Sequence, residues 1–107
     1  MKLLVAIVQN ADASALREEL NRNEFSSTRL ASTGGFLREG STTFLIGVEE
    51  EKVERVKEII GQTCKERDKL MPTHNYLSGE GIFTEPMEVT VGGAVVFVLP
   101  LNEIVKL

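Results

Sequence analysis

The chain has 107 residues, 42% of them hydrophobic and 26% charged, with a net charge of −4. That is the balance of one soluble folded domain, residues 1–107, and it argues against a disordered chain or a basic nucleic-acid binder. A single cysteine rules out an intramolecular disulfide and a cysteine-based metal cluster, and no apolar run approaches the ~20 residues of a membrane helix. The start, Met1–Val8, is too short for a signal peptide and runs into polar Gln9-Asn10-Ala11-Asp12, so the expected compartment is the cytoplasm.

Leu3–Val8 is a continuous apolar run, which predicts a strand covered on both faces. Asp12 is placed to cap a helix over residues 13–23, whose apolar positions Ala13, Leu16 and Leu20 share one side. Phe25 is expected to dock the end of that helix. A second strand follows over residues 27–32 and a third over 42–48, joined by a glycine-rich loop at about 33–41, so these two strands should be antiparallel neighbours. Glu49-Glu50-Glu51 suits a helix N-terminus, and Val53, Val56, Ile59, Ile60 and Cys64 form one apolar stripe. Cys64 on that stripe is read as a small buried hydrophobe rather than a nucleophile. Lys65, Arg67 and Lys69 are expected to close this second helix at its negative end.

Residues 69–86 are turn-rich and aperiodic, which predicts a long loop. It carries His74, read as exposed and without a role because no second ligand or base accompanies it. Met87–Val91 alternates apolar and polar, Gly92-Gly93 signals a two-residue turn, and Ala94–Leu99 is a last apolar strand ended by Pro100. A tail over 101–107 completes the chain. The order β-α-β-β-α-β, with an extra hairpin strand before the last, predicts an α+β ferredoxin-like sandwich with both helices on one sheet face. Three of the strands are nevertheless apolar on both sides. Something must bury the other face, and for a chain this short the economical partner is another copy of itself.

The glycine loop is the chemically richest stretch. Gly34, Gly35 and Gly40 permit close backbone approach, Phe36 offers a flat apolar face, and Arg38 a fixed charge among the hydroxyls of Ser32, Thr33, Ser41 and Thr42. The set suits an anionic planar molecule such as a nucleotide, yet neither G-x-x-x-x-G-K-[ST] nor G-x-G-x-x-G is present. Taken alone, an ordinary glycine-containing hairpin is the more economical reading. The carboxylates Glu24, Glu39, Glu80, Glu85 and Glu88 are scattered, no nucleophile–base pair stands out, and no enzyme or metal site is expected.

Leu30-Ala31, Thr33–Arg38, Gly40 and Thr42–Leu45, together with Gly92–Val98, resemble the PII-like cyclic-di-AMP receptor family known as PstA or DarA. The similarity runs from Met1 through Gln62-Thr63-Cys64 to Pro100. The resemblance implies a PII-like homotrimer that binds cyclic di-AMP between subunits, without catalysis or cofactor, and relays its level to a downstream protein not identified by the sequence. By position it implies Thr28, Gly35, Phe36, Leu37, Gly47 and Phe97 as ligand residues, with Ser26, Arg29, Arg38 and Ser41 as further candidates. Glu24 and Ser26 depart from the family pattern, which has an asparagine and, two residues on, an arginine. Ser41 replaces an asparagine, Arg29 a lysine, and Lys106 a glutamine. An acid gained and a cation lost should weaken binding of a dianion. The alternative is therefore a trimer for a different nucleotide or small anion, or a protein-interaction module with weak or no cyclic-di-AMP binding.

Overall fold

A computed structural model describes residues 1–32, 40–72 and 86–107. Four strands, β1 (Lys2–Gln9), β2 (Thr28–Ser32), β3 (Ser41–Val48) and β6 (Ala94–Pro100), form one sheet in the order β2-β3-β1-β6, every neighbouring pair antiparallel. Helices α1 (Asn10–Arg22) and α2 (Val53–Thr63) pack on one face, the latter led in by a 3-10 turn at Glu50–Lys52. This is the α+β ferredoxin-like arrangement expected from the chain order. Among the described residues no helix is long and apolar enough to cross a membrane.

Alternation decides what each strand buries. Leu4, Ala6 and Val8 of β1 and Phe44, Ile46 and Val48 of β3 face the helices and are buried. They meet Ala13, Leu16 and Leu20 of α1 and Val53, Val56, Ile59 and Ile60 of α2, the two apolar stripes read from the sequence. Cys64 joins this core at 1% exposure, and burial first, then the nearby Asp12 charge, pushes its thiol up to about 12. It is a packed hydrophobe, as its place on the stripe suggests.

Four expectations are corrected. Asp12 is not the N-cap: α1 begins two residues earlier, and the carboxylate instead receives Arg67. The cap position belongs to Gln9, whose side chain accepts a hydrogen bond from Gly92 N–H rather than from the helix. Lys65, Arg67 and Lys69 do not close α2, which ends at Thr63. The chain becomes a strand, β4 (Arg67–Pro72), paired antiparallel with β5 (Pro86–Val91) in a separate two-stranded sheet. Both ends of the expected loop over residues 69–86 therefore lie in this ladder, while His74 and the rest of 73–85 fall outside the described residues. Finally, Gly92-Gly93 makes a turn, with φ of +88° and +89°, but not a hairpin between its flanking strands. β5 pairs with β4, and β6 pairs with β1, because the two glycine N–H groups are taken by Gln9 Oε1 at 2.6 Å and the Cys64 carbonyl at 2.5 Å. A side chain at Gly92 would meet the Lys65 carbonyl and Arg67 Nη1, so glycine is required there twice over.

The end of α1 is a Schellman closure. Phe25 N–H donates to the Leu20 carbonyl at 2.8 Å and Glu24 N–H to the Asn21 carbonyl at 3.0 Å, while Phe25 and Leu20 share the core. Phe25 docks as expected. The left-handed position of the motif, φ +64°, is held by Glu24, where glycine or asparagine is the usual occupant. Glu24→Gly is expected to raise folding stability by roughly 0.5–1 kcal/mol, relief of the backbone being partly offset by a freer unfolded chain. Urea unfolding at unchanged m-value checks it, and a loss of stability would contradict the assignment.

Candidate functional site

Among the described residues the second sheet face carries no helix. Register places three transverse rows on it: Leu30–Thr43–Ile7–Val95, Thr28–Leu45–Val5–Phe97, and Gly47–Leu3–Leu99. Leu3, Val5, Ile7 and Leu45 are half-buried, and Leu30, Phe97 and Leu99 are exposed at 40–45%. An apolar surface of this extent on a small domain marks an interaction site. Of the two apolar sides read for β1, β3 and β6, the described helices cover only one.

Three of the ligand positions implied by resemblance, Thr28, Gly47 and Phe97, lie on this open face. Thr28 and Phe97 share a row but sit on the two outer strands, three inter-strand steps apart, which is roughly 14 Å. Gly47 leaves a gap that the chain's own tail enters: a Cβ built there would stand 2.9 Å from Ile104 Cδ1 and 3.5 Å from Leu101 Cδ2. The tail is started on this path by Leu101 N–H donating to the Met1 carbonyl at 3.2 Å. A glycine inside an apolar strand signals that something approaches closely, but no feature of residues 101–107 marks them as what does so.

Ser26 is exposed and shares a hollow of about 220 Å³ with Gly47, Glu24, Glu49 and Lys52. The two departures from the family pattern thus stand together beside Gly47, in a space that Glu49, Lys52 and Met1 also line. Neither Glu49 nor Lys52 was expected here: Glu49 reads in the sequence only as helix electrostatics, and Lys52 carries no signal of a site. Arg29 is not brought to this face. It pairs with Phe44, so it lies on the helix side, beside Arg17 and Glu18 in a separate hollow of about 320 Å³. Ser41 begins β3 opposite Gln9 and is 1% exposed, so it presents no surface to a ligand in this arrangement. Gly35, Phe36, Leu37 and Arg38 lie outside the described residues; the structure bounds their segment by the end of β2 at Ser32 and the start of β3 at Ser41.

The β1–α1 junction is a second polar centre that the sequence did not disclose. Asp12 is 4% exposed, and its Oδ1 accepts from Arg67 Nη2 at 2.8 Å, while Oδ2 is buried without a partner. Arg67 Nη1 also donates to the Lys65 carbonyl at 2.8 Å. The Asp12 hydrogen bond and charge hold the Arg67 guanidinium above its already high range. Among the described residues no group of His, Cys, Asp and Glu is arranged to hold a metal ion.

Comparison with known proteins agrees with this architecture. A functionally unknown protein from Pediococcus pentosaceus ATCC 25745, known from its crystal structure, is 40% identical, with a TM-score of 0.79 over 99% of this chain and 96% of the other. The family model described as cyclic-di-AMP receptor matches residues 1–107, the whole chain. The chain belongs to the cyclic-di-AMP receptor family.

Proposed function

We propose that the protein is a non-enzymatic PII-like receptor that binds cyclic di-AMP in clefts between the subunits of a homotrimer. The observation that supports this most directly is the separation of Thr28 from Phe97. They lie at opposite edges of one open apolar face, too far apart to grip a single adenine within one chain. Apposing the outer strand of one copy with that of another brings the two chemistries together and covers the exposed Leu30, Phe97 and Leu99 in the same event. Phe97 then stacks on a purine, Thr28 hydrogen-bonds a base edge or a phosphate oxygen, and the glycine segment carrying Gly35, Phe36, Leu37 and Arg38 supplies backbone donors, a second aromatic and charge. A closed ring of three has three such clefts. The protein would act in the cytoplasm through a partner protein, and we assign it no catalytic residue.

Native mass measurement with calorimetry tests the reading. The expected particle weighs three times the 11.8-kDa chain and takes one cyclic di-AMP per subunit, and Phe97→Ala weakens binding about tenfold, since loss of one stacked base is worth ~1–3 kcal/mol. A monomer without saturable heat overturns it.

One observation favours a second reading, a trimer that prefers another nucleotide or small anion. Glu24 and Glu49 share the hollow with Gly47, and their charge opposes a dianion placed there. A ligand panel by thermal shift separates the two, because a ligand specific for the native state raises its melting temperature.

A further inference from the structure

Residues 9–12 form the N-terminal turn of α1 and its cap, and they hold two distant parts of the chain at once. Asn10 N–H donates to the Gly40 carbonyl at 3.0 Å, and the Thr42 hydroxyl donates to Asn10 Oδ1 at 2.6 Å. Asn10 thus fixes the first residues of β3, where the glycine-rich segment rejoins the sheet. Gln9 and Asp12, three positions apart and so on one side of the turn, hold the base of the β4–β5 hairpin. Gly92 N–H donates to Gln9 Oε1, and Arg67 donates to Asp12 Oδ1. Arg67 and Val91 are the first pair of that hairpin's ladder, so both its strands are tied to the same turn.

We propose that this turn couples the start of β3 to the base of the β4–β5 hairpin, so that a change at one is read at the other. A helical turn is stiff, so a shift of Asn10 carries Gln9 and Asp12 with it. The hairpin end also has a second arrangement available. Asp12 offers Arg67 one oxygen that is used and one, Oδ2, that is buried and unsatisfied, and a guanidinium fork can engage both. Two discrete arrangements of one ion pair are what a coupled element needs, whereas a chain of contacts alone is not sufficient. Where cyclic di-AMP is the signal, which rests on the receptor reading above, a shift that it imposes on Gly40 and Thr42 would be passed through Asn10 to Arg67 and Gly92.

Hydrogen exchange of the backbone amides over 67–72 and 86–91 tests this in two arms. Without ligand, Thr42→Val removes the hydroxyl that donates to Asn10, at a position that pairs with Val8 and Ala31 and not with either strand of the hairpin. The hairpin amides are expected to exchange about fivefold faster, the effect of one lost hydrogen bond. Thr42→Ser restores the wild-type rate, and Val48→Ala, a core change at the far end of β3, leaves these amides at the wild-type rate. Unchanged hairpin exchange in Thr42→Val, or an equal rise in Val48→Ala, overturns the coupling. With cyclic di-AMP, the wild type shows altered exchange at the hairpin base, and Asp12→Asn keeps its affinity within about threefold but loses that alteration. Binding to the wild type with no alteration overturns the transmission. An absence of binding to the wild type sinks the receptor reading instead, and the ligand-free arm still decides the coupling.

Discussion

Arg67→Ala is expected to lower folding stability by about 2 kcal/mol, and the double variant Asp12→Ala/Arg67→Ala to lose less than Arg67→Ala alone. Asp12 is 4% exposed in the first turn of α1, with one oxygen on Arg67 and the other without a partner. Removing the guanidinium strands a buried carboxylate, which costs ~3–5 kcal/mol where both partners are deep. Here the Arg67 side chain is 46% exposed, so water can follow it in, and the smaller figure applies. Deleting Asp12 as well removes the stranded charge and recovers part of the loss, although the helix forfeits an acid favourable to its dipole. The measurement is urea unfolding at one fixed protein concentration, since assembly of the proposed kind would be linked to folding. Equal losses in the single and the double variant would show that Arg67 acts through something other than this carboxylate.

Val5→Lys is expected to convert the particle to single chains and to abolish cyclic-di-AMP heat in calorimetry. Val5 occupies the centre of the open face, between Leu45 and Phe97 in its row, with Leu3 and Ile7 two residues away on the same strand. Its own neighbours in the chain, Leu4 and Ala6, point into the helix-covered core. A lysine at position 5 therefore leaves the folded subunit intact, because in a monomer its ammonium reaches water. In an assembly it places an unpaired charge at the middle of a dry interface, a penalty of several kcal/mol per subunit. Far-UV circular dichroism is expected to stay native while native mass drops to one chain. An unchanged mass would mean that this face is not what joins the copies.

The Schellman closure shows how local chemistry is legible and where it stops. Phe25 after the helical stripe of Ala13, Leu16 and Leu20 identified the docking residue, because burial of a large ring beside a helix end depends on neighbours close in sequence. The left-handed Glu24 was not legible, since a glutamate carries no signal for positive φ. The same limit applies to Arg67. By spacing it belongs to a run of basic residues after a helix, and helix electrostatics is the local account of such a run. Its partner lies 55 residues away, and a pairing of that range appears only when the chain is folded. Gly92-Gly93 was read correctly as a turn and wrongly as a hairpin, because the dipeptide fixes the backbone freedom but not which strand accepts the next ladder. Gln9 and the Cys64 carbonyl made that choice.

For the functional site, Thr28, Gly47 and Phe97 came from a resemblance along the chain, and the register then put them on one face. Arg29 came the same way and lies on the other.

The sequence by itself determined the two helices, the order of the main strands along the chain and the buried stripes, because each rests on periodicity or on residues close together along the chain, and a resemblance over nearly its whole length pointed to the family. Only the tertiary structure decided that β4 pairs with β5, that the tail fills the gap at Gly47, that Asp12 receives Arg67, and that Thr28 and Phe97 stand at opposite edges of one face. Those are contacts between segments far apart in the chain. Their geometry is set by competition among many possible partners for the same donors, acceptors and apolar surface, and that competition is resolved only on folding.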